Sequence, residues 1–273
     1  MKQSFGSQDA PAPGEDRTGN HGQDASVHGA FRSAGHGSLA RVGVAVCHGF
    51  TGSPISMRAW SEHLADEGFA VNMPLLAGHG TSWQELSKTP WEHWYRDFEA
   101  AYLELAGRCD TVFVAGMSMG GALALRVAAL HPVAGLALVN PGLTFDDPRA
   151  RYSGLLKHVL KSVPAIGDDI KAPGISEGAY TRTPVAAVHE LSQLFADTIS
   201  LLPRVSAPAL VFRSTVDHVV PDSSIDILHE RIGSRNVQLV PLENSYHVAT
   251  MDNDAPLIFS ESAAFFQRNL HAI

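Results

Sequence analysis

From about residue 42 onward, short apolar runs alternate with longer stretches in which apolar positions recur every three or four residues. The runs are "VGVAVC", "FAVNMP", "TVFVAG", "GLALVN", "APALVFRS" and "NVQLVPL". Uninterrupted apolar runs of this length read as strands buried on both faces. The stretches between them read as helices. Ser53 and Pro54 open one that runs to about Asp66. Thr89, Pro90 and Glu92 stand in capping-box order before a second. An almost wholly apolar helix runs to His131, and others begin near Ser223 and Ala255. Strand and helix in alternation predict an α/β domain, with a mostly parallel, doubly wound sheet covered on both faces.

Two regions depart from this rhythm. Residues 1–38 are rich in Gly, Ser, Asp, His and Pro and poor in large apolar groups, so they are expected to form a disordered tail. His21, His28 and His36 lie there beside glycines, without carboxylates or thiols at ligand spacing, which predicts no metal site. The domain is expected over 39–273. Within it, about 141–203 holds no convincing strand. "DPRARYSGLLKHVLK" and "TPVAAVHELSQLFADTI" read as helices, the second capped by Thr183 with Pro184 at its first position. This predicts a small inserted helical cap.

Composition narrows the function. A formal net charge of -8 gives no electrostatic reason to hold nucleic acid or an anionic membrane. No run of about 18 apolar residues is present, so no stable membrane insertion is expected. Two cysteines and no secretory signal make the cytoplasm the expected compartment.

The chemistry centres on "VFVAGMSMGG". Gly116-Met117-Ser118-Met119-Gly120 follows a predicted strand and opens a helix, the context in which G-x-S-x-G forms a nucleophile elbow. A phosphate loop would need Gly-Lys-Ser/Thr, which is absent. A serine nucleophile needs a base, and the base an orienting acid, each just after a later strand. Asp217 follows the fifth run and His247 the sixth. Asp222 is the rival acid, although its place after Pro221 suits a helix cap. His218 and His229 are rival bases, the first adjoining the acid and the second inside a helix. The oxyanion needs two donors, expected from the backbone N–H groups of Met119 and Phe50. His48 and His79 read as loop organisers rather than catalytic groups. Phe50, Met117, Met119, Leu143 and Ile166 supply apolar surface for an acyl chain, unless Met117 is plain core. Glu177, in the cap, is placed to accept hydrogen bonds from an alcohol, the alternative being a solvated carboxylate.

"CHGFTGSP", "LLAGHGTS", "FVAGMSMGG", "TVDHVVP", "NSYHVATMDND" and the cap stretch "IGDDIKAPGISEGAYTRTP" together resemble bacterial monoacylglycerol lipases and related small carboxylesterases of the α/β-hydrolase superfamily. The resemblance runs from about Arg41 to Phe266. It implies the α/β-hydrolase fold, an ester substrate, no cofactor and no metal. It matches nucleophile Ser118, acid Asp217, base His247 and oxyanion donors Phe50 and Met119. A general short-chain carboxylesterase or thioesterase is the alternative on the same fold, and a non-catalytic receptor for a small ligand is a further one. The long N-terminal segment is outside the resemblance, and oligomeric state is open.

Overall fold

A computed structural model of the chain describes residues 29–270. The six apolar runs become β2 (Val42–Cys47), β3 (Ala70–Met73), β4 (Thr111–Met117), β5 (Leu136–Val139), β8 (Ala209–Ser214) and β9 (Val237–Leu242), all parallel to one another. With β1 (Phe31–Ser33) they form a seven-stranded sheet of order β1-β3-β2-β4-β5-β8-β9. The sequence turns back across its first strands, so β2 and β4 lie side by side at the centre.

Six helices longer than two turns cover it: α1 (Ile55–Asp66), α2 (Trp91–Ala106), α3 (Met119–Leu130), α4 (Val185–Leu201), α5 (Ser223–Arg231) and α6 (Ala255–Arg268). Alternation along β2 shows why both faces need cover. Ala45 and Cys47 enter one core with Trp94, Phe98, Leu123, Leu194 and Leu228, while Val42, Val44 and Val46 enter the other with Met57, Trp60, Ile258 and Phe266. The first core takes α2, α3, α4 and α5, and the second takes α1 and α6.

Two expectations require correction. Within the segment 1–38, residues 1–28, with His21 and His28, lie outside the described residues. Residues 31–33, however, are a strand. β1 pairs antiparallel with β3 in the register Phe31↔Met73, Arg32↔Asn72, Ser33↔Val71. Phe31 packs on the second core under the Arg58 guanidinium, whose carbon lies 5.0 Å from the ring centre. Arg108 donates to the Ser33 and Ala34 carbonyls. Backbone pairing against an exposed edge needs little apolar composition, so the averaged polarity of the segment hid it.

The second correction concerns the cap. α4 belongs to the layer over the sheet, with Ala187, Leu191, Leu194 and Phe195 in the first core. The insertion proper is therefore 141–184. It also holds a two-stranded antiparallel sheet, β6 (Ser162–Pro164) with β7 (Arg182–Pro184). Thr183 pairs with Val163 instead of capping α4, and Pro184 is extended with ψ 128°. At α2 the expected capping box is also unformed, because Thr89 Oγ1 donates to the Glu85 carbonyl.

Candidate active site

Ser118 sits at the end of β4 with φ 55° and ψ -121°, a backbone conformation that non-glycine residues rarely hold. The turn explains its glycines. A Cβ on Gly116 would lie 2.2 Å from the Gly120 carbonyl oxygen, and one on Gly120 would lie 2.3 Å from that of Cys47. Helix and strand approach so closely that any side chain there collides with backbone. Ser118 N–H donates to the Val139 carbonyl at 3.0 Å, and its own carbonyl accepts from Gly121 and Gly142. The serine thus caps α3, where the helix dipole favours developing negative charge. Met117 is plain core, 2% exposed.

Asp217 and His247, 30 residues apart, meet at the ends of neighbouring strands β8 and β9. His247 Nδ1 lies 2.9 Å from Asp217 Oδ2. The acid is wholly enclosed. Its Oδ1 accepts from the Val219 and Val220 amides at 2.9 and 2.8 Å, and Arg213 donates to Oδ2 at 2.7 Å. Burial pushes the Asp217 carboxyl up, but the His247 hydrogen bond and charge and the two amides outweigh it and hold it below the usual aspartate value. The rivals are elsewhere. Asp222 is almost fully exposed and pairs with Arg213, His218 pairs with Asp169, and His229 lies within α5.

Asn140, at φ 43° after β5, was not legible as a site residue. Its side chain donates to the Ser214 hydroxyl and to the His247 carbonyl, both at 2.9 Å, and accepts from Ser214 N–H. One amide thereby ties the ends of β5 and β8 to the histidine loop. Its only trace in sequence is an Asn directly after an apolar run, a residue that tolerates positive φ.

The loop after β2 brings the Gly49 backbone beside the serine, where a Cβ on Gly49 would sit 3.5 Å from Ser118 Cβ. His48 is a loop organiser. Its Nδ1 donates to the Gly49 carbonyl at 2.9 Å and its Nε2 accepts from Leu76 N–H at 3.2 Å. Gly49 C=O and Phe50 N–H belong to one rigid peptide unit, so holding the oxygen also aims the N–H. Burial drives the His48 imidazole down to about 4, against a smaller upward pull from the Gly49 bond. His79 bonds the Ala77 carbonyl, stacks edge-on against His48 at 5.1 Å, and falls to about 3 through burial and the His48 charge.

The cap contributes Glu177, which is 9% exposed, so a solvated carboxylate is excluded. Its Oε2 lies 3.4 Å from where a Cβ on Gly52 would stand, over the Phe50 loop. Oε1 accepts from Asp168 N–H at 3.4 Å, and Glu177 N–H donates to Asp168 Oδ1 at 2.7 Å. Burial raises the Glu177 carboxyl, Asp168 and Asp169 add to the rise, and the His247 charge and Asp168 amide oppose it. Ile166 exposes 67% of its surface on the outer cap, whereas Leu143 is buried. Leu143 borders a groove of about 360 Å³ in which Phe145, Pro148, Phe195 and Ile199 stand beside Asp147, Arg151 and Ser192, and which none of Ser118, Asp217 and His247 lines. Among the described residues no cluster of His, Cys, Asp and Glu is arranged to hold a metal ion, and no helix is long and apolar enough to cross a membrane.

Known proteins share this fold. Residues 44–258 match the model of the alpha/beta hydrolase family. The chain is 41% identical over 229 residues to a thermostable monoacylglycerol lipase of Bacillus sp. (strain H-257), covering 84% of this chain and 91% of that one. A structure solved for the metagenome-derived lipolytic enzymes LipS and LipT superposes with TM-score 0.84 at 42% identity, covering 89% and 98%. The monoacylglycerol lipase of Paleococcus ferrophilus shares the fold at 17% identity, with TM-score 0.71 over 88% and 99%.

Proposed function

The chain belongs to the alpha/beta hydrolase family, and from that premise we propose that it hydrolyses carboxylic esters, monoacylglycerols foremost, through an acyl-enzyme on Ser118. The observation that carries the reading is the buried Asp217–His247 pair at 2.9 Å, at the same edge of the sheet as an elbow serine. His247 Nε2, the ring nitrogen not turned to Asp217, takes the proton from Ser118 Oγ as it attacks the ester carbonyl. The Phe50 and Met119 N–H groups receive the oxyanion. His247 then passes the proton to the leaving alcohol, and a water activated by the same imidazole cleaves the acyl-enzyme. Asp217, held ionised by the His247 bond and charge and by its two amides, fixes the tautomer that makes Nε2 the base.

The alcohol half is assigned to the Glu177 side, where the carboxylate lies over the Phe50 loop. A buried carboxylate facing the oxyanion loop suits glycerol hydroxyls better than an alkyl alcohol. The insertion 141–184 follows β5 at the end of the sheet that carries the elbow, and on this reading it disfavours the further acyl chains of di- and triacylglycerols. The test is hydrolysis of 1- and 2-monoacylglycerols beside di- and triacylglycerols and acyl thioesters, with Ser118→Ala as control. Equal rates on mono- and triacylglycerols would refute the substrate assignment. Substantial turnover by Ser118→Ala would refute the nucleophile.

A further inference from the structure

The cap is stitched to the histidine loop by two carboxylates. Asp169 Oδ2 accepts from His247 N–H at 3.2 Å and from His218 N–H at 3.1 Å, its Oδ1 meets His218 Nδ1 at 2.7 Å, and its carbonyl accepts from Val248 N–H at 3.1 Å. From the other side, Asp252 accepts from Lys171 and Ala172 N–H in the cap, at 2.6 and 3.0 Å, and from Tyr246 N–H at 2.9 Å. The amides on both flanks of the His247 side chain are thus held by cap residues or by a carboxylate shared with the cap. Asp169 is itself aimed by a strained neighbour. Asp168 adopts φ 54° and is fixed there by Glu177 N–H and Ser176 Oγ. Asp169 is 11% exposed and bonds no atom of Ser118, Asp217 or the His247 ring.

We propose that Asp169 is a positioning residue for His247, holding from the cap the backbone on which the base is carried. The inference rests on the reading of Ser118, Asp217 and His247 given above, and adds the cap to the elements that hold the base. An imidazole must meet the serine hydroxyl to within a fraction of an ångström. A base displaced by about 1 Å costs on the order of 100-fold in rate. Asp217 restrains one ring nitrogen and Asn140 the carbonyl, and the amide is left to Asp169.

The test uses p-nitrophenyl acetate, which is too small to need the cap for binding. Asp169→Ala is expected to lower kcat about 10- to 100-fold with KM changed less than about threefold. Asp169→Asn keeps one acceptor oxygen and is expected to lose only about 3- to 10-fold; it also serves if the alanine variant folds poorly. An unchanged kcat in both variants, a KM effect alone, or a loss in Asp169→Asn as large as that in Asp169→Ala each overturns the proposal. Fluorophosphonate labelling of the wild-type protein, abolished in Ser118→Ala, separates that failure from failure of the serine reading itself.

Discussion

At the scale of the residue, the elbow and the cap make opposite demands on side chains. Gly116 faces the Gly120 carbonyl, so Gly116→Ala forces backbone apart and is expected to cost at least about 3 kcal/mol. Gly49→Ala adds a Cβ at ordinary contact distance from Ser118, and its stability should stay within about 1 kcal/mol of wild type. Urea unfolding of both variants checks the contrast, and equal losses would show that the glycines are not distinguished by close approach. Glu177 tests recognition instead. Glu177→Leu should lower kcat/KM for monoacylglycerol by roughly 5- to 150-fold, the loss of a charged acceptor worth about 1–3 kcal/mol. A p-nitrophenyl ester of equal acyl length should be nearly unaffected, and equal losses on both substrates would assign Glu177 to cap structure.

At the scale of the element, the short strands carry more than their length implies. A chain beginning at residue 39 lacks β1, its pairing with β3 and the Phe31 contact. Compared with a chain beginning at residue 29, it should lose about 2–4 kcal/mol, from a few backbone hydrogen bonds and one partly buried aromatic ring. Thermal unfolding of the two decides it, and coincident midpoints would mean that β1 contributes nothing. The elements that escaped sequence reasoning share this character. The six parallel strands are legible because burial on both faces writes a continuous apolar run. Three-residue strands such as β1, β6 and β7 are held by backbone pairing and by polar contacts such as Arg182 Nε to Ser162 Oγ at 2.7 Å, which leave no apolar signature. α4 was assigned to the cap because an amphipathic helix reads alike whether it packs on a cap or on a sheet. The site divides in the same way. Ser118, Asp217 and His247 each follow an apolar run, so position identifies them. Asp169 and Asp252 act through main-chain amides, and Asp169 lies 78 residues from the histidine it contacts, so neither residue type nor spacing marks them.

At the scale of the whole molecule, the loop after β2, which we propose serves the oxyanion, also bears on how the fold responds to acid. His48 and His79 are both buried and neutral, with pKa values driven to about 4 and about 3 from an ordinary 6.5. His48 cannot take a proton without losing the Leu76 amide that its Nε2 accepts, and His79 would then face a second cation 5.1 Å away. In the unfolded chain both imidazoles bind protons from about pH 6.5 downward. The unfolded state therefore holds more protons than the native state between the two ranges, and stability must rise with pH there. It is lost as pH falls below about 6.5, and the loss from these groups levels only below about 4 for His48 and about 3 for His79. Near pH 5 two such sites give a slope of about 2–3 kcal/mol per pH unit, an order-of-magnitude figure. Unfolding free energies from urea titrations between pH 7.5 and 4.5 should follow that slope. His79→Leu should roughly halve its steepness whatever it does to stability at pH 7.5, because one of the two buried imidazoles is gone. An unchanged slope in the variant would mean that groups other than the His48–His79 pair carry the acid sensitivity.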